Sequence, residues 1–185
     1  MKRAVLVNGV PASGKSTVAR VISAHFAWPR LGLDAIKEPF FGELGAGDRE
    51  HNRKLGRASY AAIFNVIADF PERGVTVVDA WFGFQPPEVL TRHLAHAGIE
   101  SVTEIWCHAD PAVIGARYAA RVDGRPAGHP GMDYVPELIA LAGRAQPTGM
   151  FACYAVDTAQ VLDAAALIGW LTQQGQGAAL DPLGP

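Results

Sequence analysis

The sequence predicts an α/β fold, a parallel sheet with helices on both of its faces. Two observations carry this. Short, partly β-branched runs alternate with helical stretches five times along the chain. Several of those runs also end in an acidic residue or a glycine-rich turn. Strand–helix–strand alternation calls for parallel pairing through right-handed crossovers, with helices covering both sides of the sheet. In such sheets ligands collect beyond the carboxyl ends of the strands.

Residues 4–7 read as a buried strand, apolar throughout. A helix follows over 15–27, with Val18, Ala19, Val21 and Ile22 on its apolar face. The run 31–33 is a weak second strand ending at Asp34, with a helix expected over 35–41 and another over 51–70, broken by Arg73-Gly74. Residues 75–78 form the cleanest strand and end at Asp79; Pro86-Pro87 opens a helix running to Ala97. The fourth strand is 102–107. Asp110-Pro111 then starts a helix in the favoured way, with an acidic N-cap and proline at its first position. That helix is expected to run past Arg117 and Arg121 and to end at Gly124-Arg125-Pro126. A glycine- and proline-rich stretch, 127–149, holds one helical run at 135–145, before a fifth strand at 152–156 and a last helix at 159–173. The reading is one domain over 1–173, a lid at about 111–149, and a disordered tail over 174–185.

Composition narrows the class. At 185 residues, 49% hydrophobic and 18% charged, the chain suits one globular core and not a disordered segment. A net charge of −2 with no Lys/Arg pile-up argues against a polynucleotide partner. The apolar run after Met1-Lys2-Arg3 is too short for a signal peptide, and no segment approaches a membrane span. Cys107 and Cys153 read as buried strand thiols in a reduced cytoplasm, without metal spacing.

Gly9-Val10-Pro11-Ala12-Ser13-Gly14-Lys15-Ser16 matches GxxxxGK[ST] between a strand and a helix, with Thr17 next in the helix. Glycines let backbone N–H groups wrap phosphates, and the following helix adds its positive N-terminal dipole. Lys15 suits the β- and γ-phosphates of ATP, and the Ser16 hydroxyl suits Mg²⁺. Asp34, after the second strand, could orient an acceptor hydroxyl and take its proton, or cap the next helix. Asp79 reads as an acid that holds Mg²⁺ or touches the acceptor.

Arg117, Arg121 and Arg125 recur every four residues, which places them along one helical stripe. They read either as lid cations closing over a transferred phosphoryl group or as a solvated face. His108 and His129 have no partner spacing and read as structural or surface residues. Trp81, Phe82 and Phe84 could line an acceptor pocket or pack on the helix at 61–70.

The loop GVPASGKST at 9–17, Asp34, the arginine helix and the closing Val156-Asp157-Thr158 together resemble the chloramphenicol phosphotransferase-like group of P-loop small-molecule kinases. Shikimate, gluconate and zeta-toxin kinases are similar at greater distance. The resemblance implies a three-layer P-loop sandwich, a sheet in order 2-3-1-4-5 and a lid after the fourth strand. It also implies that Asp34 activates the acceptor hydroxyl, and that Asp157 and Thr158 lie beside the adenine. The run Asp79-Ala80-Trp81-Phe82 departs from any known substrate signature, so the acceptor stays open among sugars, sugar acids, antibiotics and similar molecules. The expected activity is ATP-dependent phosphorylation of a small-molecule hydroxyl, the alternative a P-loop hydrolase or nucleotide-binding module.

Overall fold

Strand β1 (Lys2–Asn8) is apolar on both faces: Ala4 and Leu6 pack to one side, Val5 and Val7 to the other, all fully buried. Such a strand has to sit in the middle of a sheet covered on both sides. It does so in the computed structural model, which describes residues 1–175. Helix α1 (Lys15–Phe26) follows β1, then β2 (Arg30–Gly32), α2 (Leu33–Leu44), α3 (Arg49–Ala68) and β3 (Gly74–Ala80). The second half comprises α4 (Pro87–His96), β4 (Ile99–His108), α5 (Pro111–Ala119), α6 (Val135–Arg144), β5 (Ala152–Asp157) and α7 (Ala164–Gln173). All pairings are parallel and the order is β2-β3-β1-β4-β5, as expected.

One face of the sheet buries Val18, Ala19 and Ile22 of α1 with Leu167 and Leu171 of α7. The other buries Tyr60, Ile63, Phe64 and Ile67 of α3 with Leu90 and Leu94 of α4. Each buried Val, Ile, Leu or Phe among them contributes about 1.5–3 kcal/mol relative to exposure. A third cluster joins Ile114 and Tyr118 of α5 to Leu138 of α6 and to Val10 and Ala12 of the phosphate loop. Here α5 and α6 approach so closely that a Cβ on Gly115 would meet Ile139 at 2.7 Å. The 111–149 segment is thereby packed against the loop that precedes α1.

Several boundaries differ from the sequence reading. Helix α2 begins at Leu33 behind Gly32, so Asp34 lies in its first turn and is not its N-cap. Asp79 lies inside β3, paired with Val7 and Gly32, and is 5% exposed. Helix α3 starts earlier than expected because Asp48 caps it, accepting from the His51 N–H at 2.8 Å. Helix α7 starts later, at Ala164, because Asp163 is its cap and accepts from Ala166 at 2.9 Å. Helix α5 ends at Ala119, so Arg117, Arg121 and Arg125 do not share one helical stripe. Cys153 is exposed on the edge strand β5, against the expectation of two buried thiols. The disordered-tail expectation for 174–185 falls, from residue 176 on, outside the described residues. Among the described residues no helix is long and apolar enough to cross a membrane.

Candidate active site

The loop between β1 and α1 has the shape its glycines permit. A Cβ on Gly9 would stand 2.3 Å from Ser13 Oγ and 2.5 Å from the Cys107 carbonyl. Gly14 adopts φ 82°, where its missing side chain leaves room for Thr158. No side chain caps α1 and no acid occupies its first turn, where Lys15, Ser16 and Thr17 sit instead. The end of the helix therefore keeps its partial positive charge for an anion. Lys15 Nζ reaches back to the Val10 carbonyl at 3.5 Å.

Thr158, just beyond β5, ties this loop to its neighbours. Its N–H donates to the His108 carbonyl at 2.8 Å, and its Oγ1 lies 2.8 Å from the Ser13 carbonyl and 3.0 Å from that of His108. Arg117 donates to Thr158 Oγ1 at 3.0 Å and to its carbonyl at 2.7 Å. Asp157 accepts from the Ala159 N–H at 2.9 Å and so holds the turn itself. Arg121 and Arg125 both stack on the Tyr118 ring, each with its guanidinium carbon 5.6 Å from the centroid. The three arginines thus diverge around Tyr118. Arg117 serves the Thr158 turn, Arg121 covers the ring, and Arg125 reaches across to Asp34.

Asp34 Oδ2 accepts from Arg125 Nη2 at 3.1 Å, and its Oδ1 lies 3.7 Å from Lys37 Nζ. Partial burial would raise its pKa, but Lys15, Lys37, Arg125 and His129 together outweigh this and hold it below the ordinary carboxylate value. Lys37 is buried beneath it, against Phe41 and 3.5 Å from Asn52 Oδ1. Desolvation, assisted by Arg125, pushes the Lys37 ammonium below its usual pKa despite Asp34. His129, 3% exposed, puts Nε2 2.8 Å from Glu38 and 3.2 Å from Arg125. Sequence reading missed Lys37, Glu38, Asn52 and this role of His129. The i, i+3, i+4 spacing of Asp34, Lys37 and Glu38 was a usable signal, whereas His129 lies 91 residues from Glu38. Asp34, Glu38 and His129 converge closely enough for a metal, but Lys37 and Arg125 already balance their charge.

Asp79 Oδ2 faces Arg30 at 3.4 Å, while its buried Oδ1 has no hydrogen-bond partner among the described residues. An unpartnered carboxylate oxygen and a serine hydroxyl are hard-oxygen donors of the kind that suits Mg²⁺. Ser16 and Asp79 line the same cleft, of about 530 Å³, as Lys15, Asp34, Trp81 and Arg125. Arg117, Arg121, Asp157 and Thr158 do not line it. The aromatic loop divides its work. Trp81 and Phe84 face the cleft, and Phe82 is buried with Tyr60 at 5.9 Å between ring centroids.

A family model described as an AAA domain matches residues 5–130. No curated protein sequence matches the chain. Among solved structures, a candidate kinase from Chloroflexus aurantiacus J-10-fl is similar at 22% identity and TM-score 0.79, over 94% of this chain and 98% of that one. A gluconokinase from Sinorhizobium meliloti 1021 is similar at 22% identity and TM-score 0.55, over 92% and 96%. A deoxyadenosine kinase from M. mycoides, with bound dATP, is similar at 15% identity and TM-score 0.61, over 93% and 99%. At these identities the likeness establishes a shared fold.

Proposed function

The chain belongs to the AAA domain family, and from that premise we propose that it transfers the γ-phosphoryl group of ATP to a hydroxyl of a small molecule. The observation that carries the reading is the position of Asp34. A carboxylate held ionised by surrounding cations opens into the same cleft as Lys15 and Ser16. A hydrolase needs only to position water. A charge-balanced acid on a separate helix, across the cleft from the phosphate loop, suits an organic acceptor.

In this reading the backbone N–H groups of residues 9–17 surround the β- and γ-phosphates, and Lys15 offsets the charge that grows on them. Arg117 keeps the Asp157–Thr158 turn against the loop, on the adenine side. Ser16 and Asp79 would hold Mg²⁺, which supplies further neutralisation of the phosphates. The acceptor oxygen forms a bond to the γ-phosphorus while the bond from that phosphorus to the bridging oxygen breaks, and ADP leaves. Asp34 orients the hydroxyl and receives its proton as transfer proceeds. Its lowered pKa makes it a weak base, which suffices when the proton leaves late in a loose transition state. The 111–149 segment acts as a lid. Arg121 and Arg125 bring positive charge over the cleft, and closure excludes the water that would otherwise compete. The kinase likenesses support this chemistry without naming the acceptor.

The test is a screen of hydroxyl metabolites with γ-labelled ATP, scored for labelled product against ATP hydrolysis. The reading expects at least one acceptor to take the label faster than water does. Hydrolysis with no labelled organic product across the screen would turn the assignment to a hydrolase.

A further inference from the structure

Nine Lys and Arg side chains line the cleft against three carboxylates, in a protein whose net charge is −2. A magnesium-bound nucleoside triphosphate brings a charge of only about −2. It leaves most of the excess of six uncompensated. The surplus is also placed off the nucleotide side. Helices α2 and α3 belong to the β2–β3 half of the sheet, whereas Thr158 lies beyond β5 at the opposite edge.

Arg49, Arg53 and Arg57 of α3 stand four residues apart, so one helix face carries all three into the cleft. Like charges at that spacing disfavour the helix unless anions meet them. Two are met within the protein. Arg49 donates to Glu137 of α6 at 2.5 and 2.6 Å, and Arg57 lies 3.5 Å from Glu50. Arg53, between them, makes no ion pair or hydrogen bond among the described residues, and neither does Arg144 on α6. Both act on Glu137 only through longer-range attraction. Together with Arg49 they set three guanidinium groups around one lid carboxylate. Guanidinium presents a planar fork of donors that matches the oxygens of a carboxylate or phosphate.

We infer that the acceptor is an oxyanion: a hydroxyl-bearing small molecule that also carries a carboxylate or phosphate group, bound through Arg53 and Arg144. This rests on the phosphotransferase reading above, but it is a statement about binding and can be tested without turnover. The hydroxyl faces Asp34 while the anionic end lies against α3 and α6. Trp81 and Phe84, which line the same cleft, cover the carbon skeleton between them.

The experiment uses matched probes on the whole protein, loaded with Mg²⁺ and a non-hydrolysable ATP analogue. Calorimetry compares gluconate with sorbitol, and glycerol 3-phosphate with glycerol. At least one anionic probe should bind at least tenfold more tightly than its neutral partner, and its affinity should fall as salt rises. Whether gluconate or glycerol 3-phosphate shows the larger preference separates carboxylate from phosphate. Arg53→Gln should weaken the preferred anion roughly 10- to 100-fold, the usual worth of a charge-assisted hydrogen bond, with the ATP analogue bound as before. Arg53→Lys should recover part of the loss. Arg53 is exposed, so these variants should fold. Equal affinity for charged and neutral probes, no anionic binding at millimolar concentration, or an unaffected Arg53→Gln protein would each overturn the inference. The kinase reading would survive any of these if a neutral acceptor takes label from ATP, and it fails separately if none does.

Discussion

His129 reports the electrostatics around Asp34. It faces Glu38, Arg125, Lys37, Asp34 and the edge of Phe41, and it is almost wholly buried among them. Burial lowers its pKa below 6.5, Arg125 and Lys37 lower it further, and Asp34 and Glu38 oppose them. Unfolded, the imidazole takes up a proton as pH falls through 6.5; folded, it stays neutral to a lower pH. Between those two values the unfolded chain binds more protons, so His129 makes stability fall as pH drops below 6.5. The loss levels off once the folded imidazole also protonates. Urea midpoints between pH 7 and 5 should therefore drop more steeply for wild type than for His129→Gln. Parallel profiles would show that His129 titrates alike in both states. The same crowding explains Asp34 itself, since Lys15, Lys37 and Arg125 act on one carboxylate and keep it ionised even where His129 is neutral.

The 111–149 segment is tied down at its return to β5 and in its middle. At its return, fully buried Glu104 of β4 accepts from Thr148 N–H at 3.0 Å, from Thr148 Oγ1 at 2.5 Å and from Asn8 Nδ2 at 2.7 Å. Asn8 Oδ1 in turn accepts from the Phe82 N–H at 3.1 Å. One carboxylate therefore links the end of β1, the aromatic loop after β3 and the return of the segment to β5. In the middle, Asn52 of α3 donates to the Gly128 carbonyl, and Gly128, at φ 103°, leaves Phe41 the space a Cβ would take. Truncating Glu104 would strand the buried Asn8 amide and leave the part-buried Thr148 donors without their acceptor. Glu104→Ala should lower unfolding free energy by about 2–4 kcal/mol, given the usual cost of charge-assisted bonds left unmade. Urea melts would measure it, and a change under about 0.5 kcal/mol would show the network to be incidental.

Across the whole molecule, what the sequence made legible was local in origin. Apolar runs, the GxxxxGK[ST] loop and the acids near strand ends are each written in a few neighbouring residues, and they were enough for the parallel sheet and the loop that crosses its carboxyl edge. Boundaries failed where a cap outweighed periodicity, as Asp48 and Asp163 did for α3 and α7. The arginine stripe failed because a spacing of four implies one face only while the helix lasts, and α5 stops at Ala119. Glu104, Asn52 and His129 stayed hidden because their roles depend on partners from distant segments, whereas Lys37 had its main partner, Asp34, three residues away. Glu104 meets Asn8 across 96 positions and Thr148 across 44. A polar residue in an apolar strand announces only that it must find company.

The central claim is that Asp34 directs the γ-phosphoryl group to an organic hydroxyl. It is tested most directly by Asp34→Asn, which keeps shape and removes the charge. With an accepted hydroxyl substrate, label transfer, ATP hydrolysis and ATP affinity are measured side by side in both proteins. Transfer should fall by roughly two to four orders of magnitude, the usual worth of a positioned base. ATP affinity should hold, and slow hydrolysis should change far less, because neither needs the acceptor. Normal transfer in the Asn protein, or an equal loss of transfer and hydrolysis, would contradict the assignment.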